Sequence, residues 1–522
     1  MDSGSSSPGS GPIILSPTSS PSGLDEETAR HLSLFASDDG VNDTDDGPSS
    51  IFPRDLEAAP LFSSQVKQRL NASFSTSDQV PELPAYGLLG LRTGAFDKLH
   101  DARLLPRDLS LQDNLIYANM QHPWSTFICG QQGAGKSHTM SCLLENALIS
   151  DSTIGRNPTP MSGLVFHYDK FTSHSATQVC EAAYLSSRAI KVQVLVSPSN
   201  LPAMQKLYRN LPNWPKGAPR PEVIPFLFSE QQLNVANLKA LMAVDPDDKN
   251  PPLYMAIVNK VLKQLSLTGT TTGVNYRAMK KAILNESLTP AQMTFLDMRY
   301  SLTEWFLRET APQSIKERAG MVEFKPRTIL IVDLSCSFIT ESDACVLFSI
   351  FLQIFLGRRD RSPLIIALDE AHKFMTETPA AQAFSEDLVQ VIRQQRHLAT
   401  RVVIATQEPT ISPKLLDLCN VAIVHQFQSP DWYKVLERHL AALAQPKSGS
   451  DSHDKVFKTI VRLGRGEALV FCPKAYFDVD GSRGCLNFRP LEDGYAKVKI
   501  RGRITADGGR SILASDANQG GE

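Results

Sequence analysis

Two kinds of hydrophobic pattern alternate through the middle of this chain. Short, continuous runs of branched apolar residues recur at about 125–129, 163–168 (GLVFHY), 191–196 (KVQVLV), 327–333 (RTILIVD), 363–369 (PLIIALD), 401–406 (RVVIAT), 420–425 (NVAIVH) and 466–472 (GEALVFC). Runs of this length and composition predict strands buried on both faces. Between them lie segments with apolar residues at helical spacing, such as Met140, Leu143, Leu144 and Leu148. Strands alternating with helices predict an α/β fold with a mostly parallel central sheet and crossover helices. The longest apolar stretch, Ala344 to Leu356, is too short to span a bilayer and predicts a buried helix instead.

One long interruption breaks the alternation, at about 200–325. Pro-rich text (LPNWPKGAPRPEVIP) opens it, and helical text follows, as in NVANLKALMAV, PPLYMAIVNKVLKQL and TPAQMTFLDMRYSLTEWFLRE. Thr289 and Pro290 suit an N-cap and first turn. This segment predicts a helical insertion. The two ends differ from the rest. Residues 1–84 are rich in Ser, Pro, Gly and Asp, and 503–522 are similar. Such text has too little apolar surface to offset its ordering entropy, so disordered tails are expected on either side of a domain over 85–502.

The formal net charge is −2, so no strongly basic footprint marks the chain as a nucleic-acid binder. Eight cysteines without a C-x-x-C pair argue against a zinc or redox module. The acidic, polar start lacks the apolar core of a secretory signal. A cytoplasmic or nuclear protein without membrane contact is expected.

The chemistry concentrates after the first predicted strand. Gly130, Gln131, Gln132, Gly133, Ala134, Gly135, Lys136 and Ser137 fit G-x-x-x-x-G-K-[ST], the phosphate-binding P-loop. Phe127, Ile128 and Cys129 lead in as a strand, and a helix is expected to start near Lys136. The glycines let successive N–H groups turn inward toward phosphate oxygens, and the helix adds its positive end. These residues and the neighbouring His138 are expected to hold ATP. Lys136 would reach the β- and γ-phosphates, and Ser137 would ligate Mg2+.

A second acidic site follows Leu364–Leu368. An apolar strand ending in Asp369 and Glu370 is the Walker B pattern, with Asp369 for the Mg2+ shell and Glu370 to activate water. His372 is a weaker candidate. Asp333 ends another strand but lacks a following Glu, so it ranks below Asp369. Gln407, at the tip of the strand beside Walker B, is placed to sense the γ-phosphate, with Thr406 second. Upstream of that strand lie Arg393, Arg396 and Arg401. An arginine reaching into a neighbouring subunit's site would stabilise transition-state charge; Arg396 is the first candidate and Arg393 the second. Arg358, Arg359 and Arg361 add local basic charge.

The order of P-loop, VDLS, LDEAHKF, RQQRHLATRVVIATQEP and GEALVF resembles the HerA/FtsK superfamily of ring-forming motor ATPases, over about 120–475. It also looks like P-loop proteins common in filamentous fungi. The resemblance implies a RecA-like fold, ATP hydrolysis with Mg2+, a homo-oligomer, and DNA as the polymer moved. It implies phosphate and Mg2+ contacts by Lys136 and Ser137, the Walker B acids Asp369 and Glu370, and the sensor Gln407. Family parts that handle DNA, an N-terminal β-barrel and a C-terminal winged helix, are not evident. A nucleotide-dependent switch or scaffold acting on protein partners is therefore the alternative function.

Overall fold

The computed structural model describes residues 54–74, 85–96, 102–103, 111–170, 178–188, 190–242, 253–268, 275–358, 362–443, 451–480 and 487–507. A parallel sheet forms its centre. From one edge, the strands run Glu222–Pro225, Lys191–Val196, Thr328–Asp333, Ser162–His167, Leu364–Asp369, Thr400–Thr406, Ser125–Cys129 and Val421–Val424. The sheet continues antiparallel through Glu467–Phe471, Tyr495–Ile500, Tyr86–Phe96 and Leu115–Asn119. Thr400–Thr406 separates the P-loop strand from the Walker B strand, the arrangement of the RecA-like fold.

Alternation within each strand explains the layers. Leu364, Ile366 and Leu368 join one apolar cluster, while Ile365 and Ala367 join another. The same division holds for Phe127 and Cys129 against Ile128, and for Val402 and Ile404 against Val403 and Ala405. Successive side chains leave opposite faces of a strand, so the sheet lies between two cores. Each strand is nonetheless apolar throughout, because both faces are covered.

Helices Glu341–Arg358 and Pro379–Arg393 cover one face. The expected buried helix lies within the first of these, where Ala344, Leu347, Phe348 and Phe351 are buried. The P-loop helix Lys136–Leu148 and helix Leu201–Arg209 cover the other face. The 200–325 segment contains helices Val235–Met242, Leu253–Thr268, Tyr276–Leu284 and Pro290–Phe306. Their buried residues Leu238, Tyr254, Met279 and Phe306 share the core of Phe351 and Leu368, so this segment extends the main core. Thr289 accepts from the Gln292 N–H at 3.4 Å and closes a capping box, as its sequence suggests. The segment is not wholly helical, because Glu222–Pro225 adds an edge strand. Pro225 ends that strand at the sheet edge, where proline is tolerated.

Both expected tails begin too far into the fold. Leu61–Ser63 pairs with Leu115–Asn119 and with Tyr476–Asp480, and Leu61, Phe62 and Val66 are buried. The Leu-Phe pair supplies apolar surface that the surrounding composition obscures. At the other end, Arg501–Asp507 crosses the P-loop helix. Fully buried Glu145 accepts from Arg501 Nη1 at 2.6 Å, from Thr505 Oγ1 at 2.6 Å and from the Thr505 N–H at 3.0 Å. A buried carboxylate held by several donors fixes this strap in place. Residues 1–53, 75–84 and 508–522 of the expected tails lie outside the described residues. No described helix is long and apolar enough to cross a membrane. Seven described cysteines are free thiols.

Candidate nucleotide site

Parallel strands place all their carboxyl ends on one edge of the sheet, and most of the expected chemistry gathers there. The P-loop leaves Cys129 at that edge. Gly130 has φ 152° and Gly135 has φ 116°, values that side chains rarely adopt. A Cβ at Gly130 would come within 2.7 Å of His425 Cβ, so this position also requires close approach. Gly135 is the N-cap of the helix that begins at Lys136, as the motif requires. The helix is stabilised by packing and by its strap, since no acidic residue occupies its first turn.

Lys136 is 4% exposed, and its Nζ donates to the Gln131 carbonyl at 3.3 Å. Burial lowers its pKa, while nearby Glu370 and Asp369 act in the opposite direction. Ser137 is half-buried in the first helical turn. His138 turns elsewhere: its Nε2 pairs with the Arg501 carbonyl at 2.8 Å, so its ring belongs to the C-terminal strap. The mouth of the loop is lined by Gln131, Gln132, Gly133, Ala134, Gln426 and Arg465.

The Walker B strand ends in a strained turn. Glu370 has φ 50°, an uncommon conformation for a residue with a side chain. It is 5% exposed, and its Oε2 accepts from Gln407 Nε2 at 3.1 Å. His372 Nδ1 lies 3.4 Å from the same oxygen and 3.4 Å from the Gln407 N–H. Burial lowers the His372 pKa, and a neutral ring can accept that N–H. The structure thus brings Glu370, Gln407 and His372 together. Thr406 is committed to its own turn, donating to the Glu408 carbonyl at 2.9 Å.

Asp369 is buried, and His167 Nδ1 donates to its Oδ2 at 3.1 Å. His167 Nε2 donates to the Gln178 carbonyl at 3.1 Å. With acceptors at both ring nitrogens, the imidazole satisfies both bonds only when protonated. Burial opposes that charge, but the carboxylates of Asp333 and Asp369 prevail and raise the pKa to about 9. The other Asp369 oxygen, Oδ1, is buried without a hydrogen-bond partner. Such an orphan acceptor is costly unless a ligand completes it. Asp333 is fully committed, accepting from Tyr208 Oη at 2.6 Å and from the Ser335 N–H at 3.0 Å. It therefore belongs to the framework. Ligand atoms of His167, Cys180 and Asp369 lie within 4.8 Å of one another, the one such grouping among the described residues. Within that grouping His167 pairs with Asp369 through its ring, and burial pushes the Cys180 thiol pKa well upward.

The arginines do not join this site. Arg393 ends its helix and Arg396 follows in the turn before strand Thr400–Thr406; both are exposed at the amino-terminal ends of the parallel strands. They stand one strand length from their own P-loop. Arg401 is buried there, donating to the Met120 carbonyl at 2.6 Å and the His122 carbonyl at 2.8 Å. It is a clamp and cannot act across an interface. Arg359 and Arg361 lie outside the described residues, as does the side chain of Arg358.

Four contributors escaped the sequence reading: His167, His425, Gln426 and Arg465. His425 Nδ1 donates to the Glu467 carbonyl at 2.9 Å, and its Nε2 accepts from Thr139 Oγ1 at 2.9 Å. Burial lowers its pKa to about 4, so the ring is neutral under the P-loop. The Gln426 carbonyl accepts from the Gln131 N–H at 2.8 Å. The available signal was position: His167 lies one residue before the end of a predicted strand, His425 ends another, and Gln426 follows it.

The fold is similar to three solved structures. VirB4 of Thermoanaerobacter pseudethanolicus matches with a TM-score of 0.45 and 14% identity, over 80% of this chain and 97% of that one. The bacterial conjugative coupling protein TrwBΔN70 matches with a TM-score of 0.40 and 13% identity, over 80% of this chain and 95% of that one. B204, the DNA-packaging ATPase of Sulfolobus turreted icosahedral virus, matches with a TM-score of 0.26 and 9% identity, over 71% and 99%. The likeness is one of fold. No protein-family model and no curated protein matches the sequence.

Proposed function

We propose that this chain binds ATP with Mg2+ at the P-loop edge and hydrolyses it. The observation that carries the reading is the convergence of a glycine-shaped anion cradle and buried Lys136 with the Glu370–Gln407 pair. A Gly-rich turn alone binds many anions. A water-activating carboxylate beside it, held by a polar sensor, suits phosphoryl transfer to water.

The residues present fit a divalent cation. Ser137 offers a hydroxyl at the helix start, and Asp369 Oδ1 is a buried acceptor without a partner. When bound, Mg2+ neutralises phosphate charge at that position. The chain performs the rest. Lys136 exchanges its bond to the Gln131 carbonyl for the β- and γ-phosphate oxygens. Gln407 orients water against the γ-phosphorus while keeping Glu370 in place. Glu370 takes the water proton as the new P–O bond forms, and the bond to the leaving ADP oxygen breaks.

Movement of DNA by a homo-oligomer is the wider reading, with Arg396 or Arg393 completing a neighbour's site. Exposure of both arginines away from their own P-loop supports it, because only a second copy could use them for catalysis. Steady-state turnover with and without single- and double-stranded DNA tests this reading. Stimulation supports the motor. Slow hydrolysis indifferent to DNA supports the switch or scaffold.

A further inference from the structure

The acidic ligand of the proposed Mg2+ site has a buried support that its sequence motif does not contain. His167 ends the strand between those of Asp333 and Asp369, and it is the register partner of both. Its Nδ1 donates to Asp369 Oδ2 at 3.1 Å. On the far side, its Nε2 is anchored at 3.1 Å to the Gln178 carbonyl. The ring is fully buried and packed between two strand ends, so it has little freedom to turn. Asp333 is held by Tyr208 and the Ser335 N–H, so the other flank is rigid as well. Asp369 meets one specific donor through Oδ2 and leaves Oδ1 without a partner.

We propose that His167 is the positioning residue of the metal site, holding Asp369 through Oδ2 so that Oδ1 stays available to the Mg2+ shell. The inference rests on the nucleotide reading above and names the residue that prepares its metal side. A carboxylate free to rotate would offer its oxygens in many orientations, and ordering it would weaken binding. Partners that orient metal ligands through hydrogen bonds are commonly worth about 10–100-fold in metal affinity. His167 acts through Asp369 and touches no reacting atom.

Two amide substitutions separate the ring nitrogens. In His167→Asn the amide nitrogen stands near the place of Nδ1 and keeps a donor toward Asp369. In His167→Gln it stands near the place of Nε2 and keeps the bond toward Gln178. The assay is equilibrium binding of ATPγS to the full chain, with Mg2+ and with EDTA, alongside melting curves. Wild type is expected to bind more tightly with Mg2+. His167→Asn should retain most of that gain, and His167→Gln should lose about tenfold or more of it, as for other oriented metal ligands. Both should match wild type in EDTA, where Lys136 and the loop amides hold the nucleotide. An equal Mg2+ response in both variants, whether retained or lost, overturns the positioning role while leaving nucleotide binding intact. Failure of the wild type to bind ATPγS overturns the nucleotide reading and this inference with it.

Discussion

Replacing Glu370 separates strain from chemistry at one position. In Glu370→Gln the side chain keeps its size and can still bond to Gln407, which donates to Oε2 at 3.1 Å. Lys136, Ser137 and Asp369 are untouched, so Mg·ATP affinity should stay within about threefold, because a general base adds little to ground-state binding. Turnover should fall by about 10²–10⁴-fold, the usual contribution of a general base. Glu370→Gly should lose turnover as well, with a different effect on stability. At φ 50° a side chain carries strain of about 1–2 kcal/mol, which glycine removes. Glycine's larger unfolded-state entropy costs about 0.5–1 kcal/mol. The two terms nearly cancel or favour glycine, so the glycine variant should melt at or above the glutamine variant. Measurements are single-turnover hydrolysis, equilibrium binding of ATPγS and denaturant midpoints for all three chains. Turnover of Glu370→Gln within twofold of wild type would remove this residue from the mechanism. A glycine variant less stable than the glutamine variant by more than about 1 kcal/mol would refute the strained turn.

Lys136→Ala should abolish turnover and weaken ATP binding, because its ammonium is the buried cation beside the loop; wild-type affinity in a folded variant would count against the P-loop reading. Arg396→Ala should lower turnover far more than ATP affinity, because a residue acting in trans meets charge that develops in the transition state. Mixing it with Glu370→Gln should restore some activity through interfaces that retain both groups; no recovery in proven mixed oligomers excludes this arginine. Buried His425 makes the fold sensitive to acid. Its pKa lies at about 4 in the folded chain and near 6.5 when unfolded. The unfolded chain therefore takes up a proton first as pH falls through that window. Its contribution to stability should drop by about 2 kcal/mol between pH 7 and pH 5. His425→Asn should lose less over that interval, as read by urea midpoints at both pH values; identical losses would refute the assignment.

The parallel core was legible because each strand is a short apolar run between turn residues, and burial on both faces allows little else. Leu364–Asp369 and Thr328–Asp333 needed no information from elsewhere in the chain. The antiparallel extension was less visible. Tyr86–Phe96 carries glycines at 87, 90 and 94 that weaken a strand pattern. It forms where Tyr495–Ile500 and Leu115–Asn119 supply partners on both sides. Likewise, Leu61–Ser63 is only three residues long, and its burial depends on chain that arrives much later.

By itself, the sequence located the glycine-rich loop, the acidic pair Asp369–Glu370 and Gln407, because each is a local arrangement of backbone freedom, charge and strand end. A glycine's φ range and an Asp-Glu after an apolar run act within a few residues. The supports were decided only in three dimensions. His167 meets Asp369 across 202 positions, and Arg501 meets Glu145 across 356. Hydrogen bonds between buried groups depend on which strands become neighbours, and neighbours follow from packing the whole sheet. The same packing moved Arg393 and Arg396 away from their own site, since a parallel strand must begin at the edge opposite to where it ends.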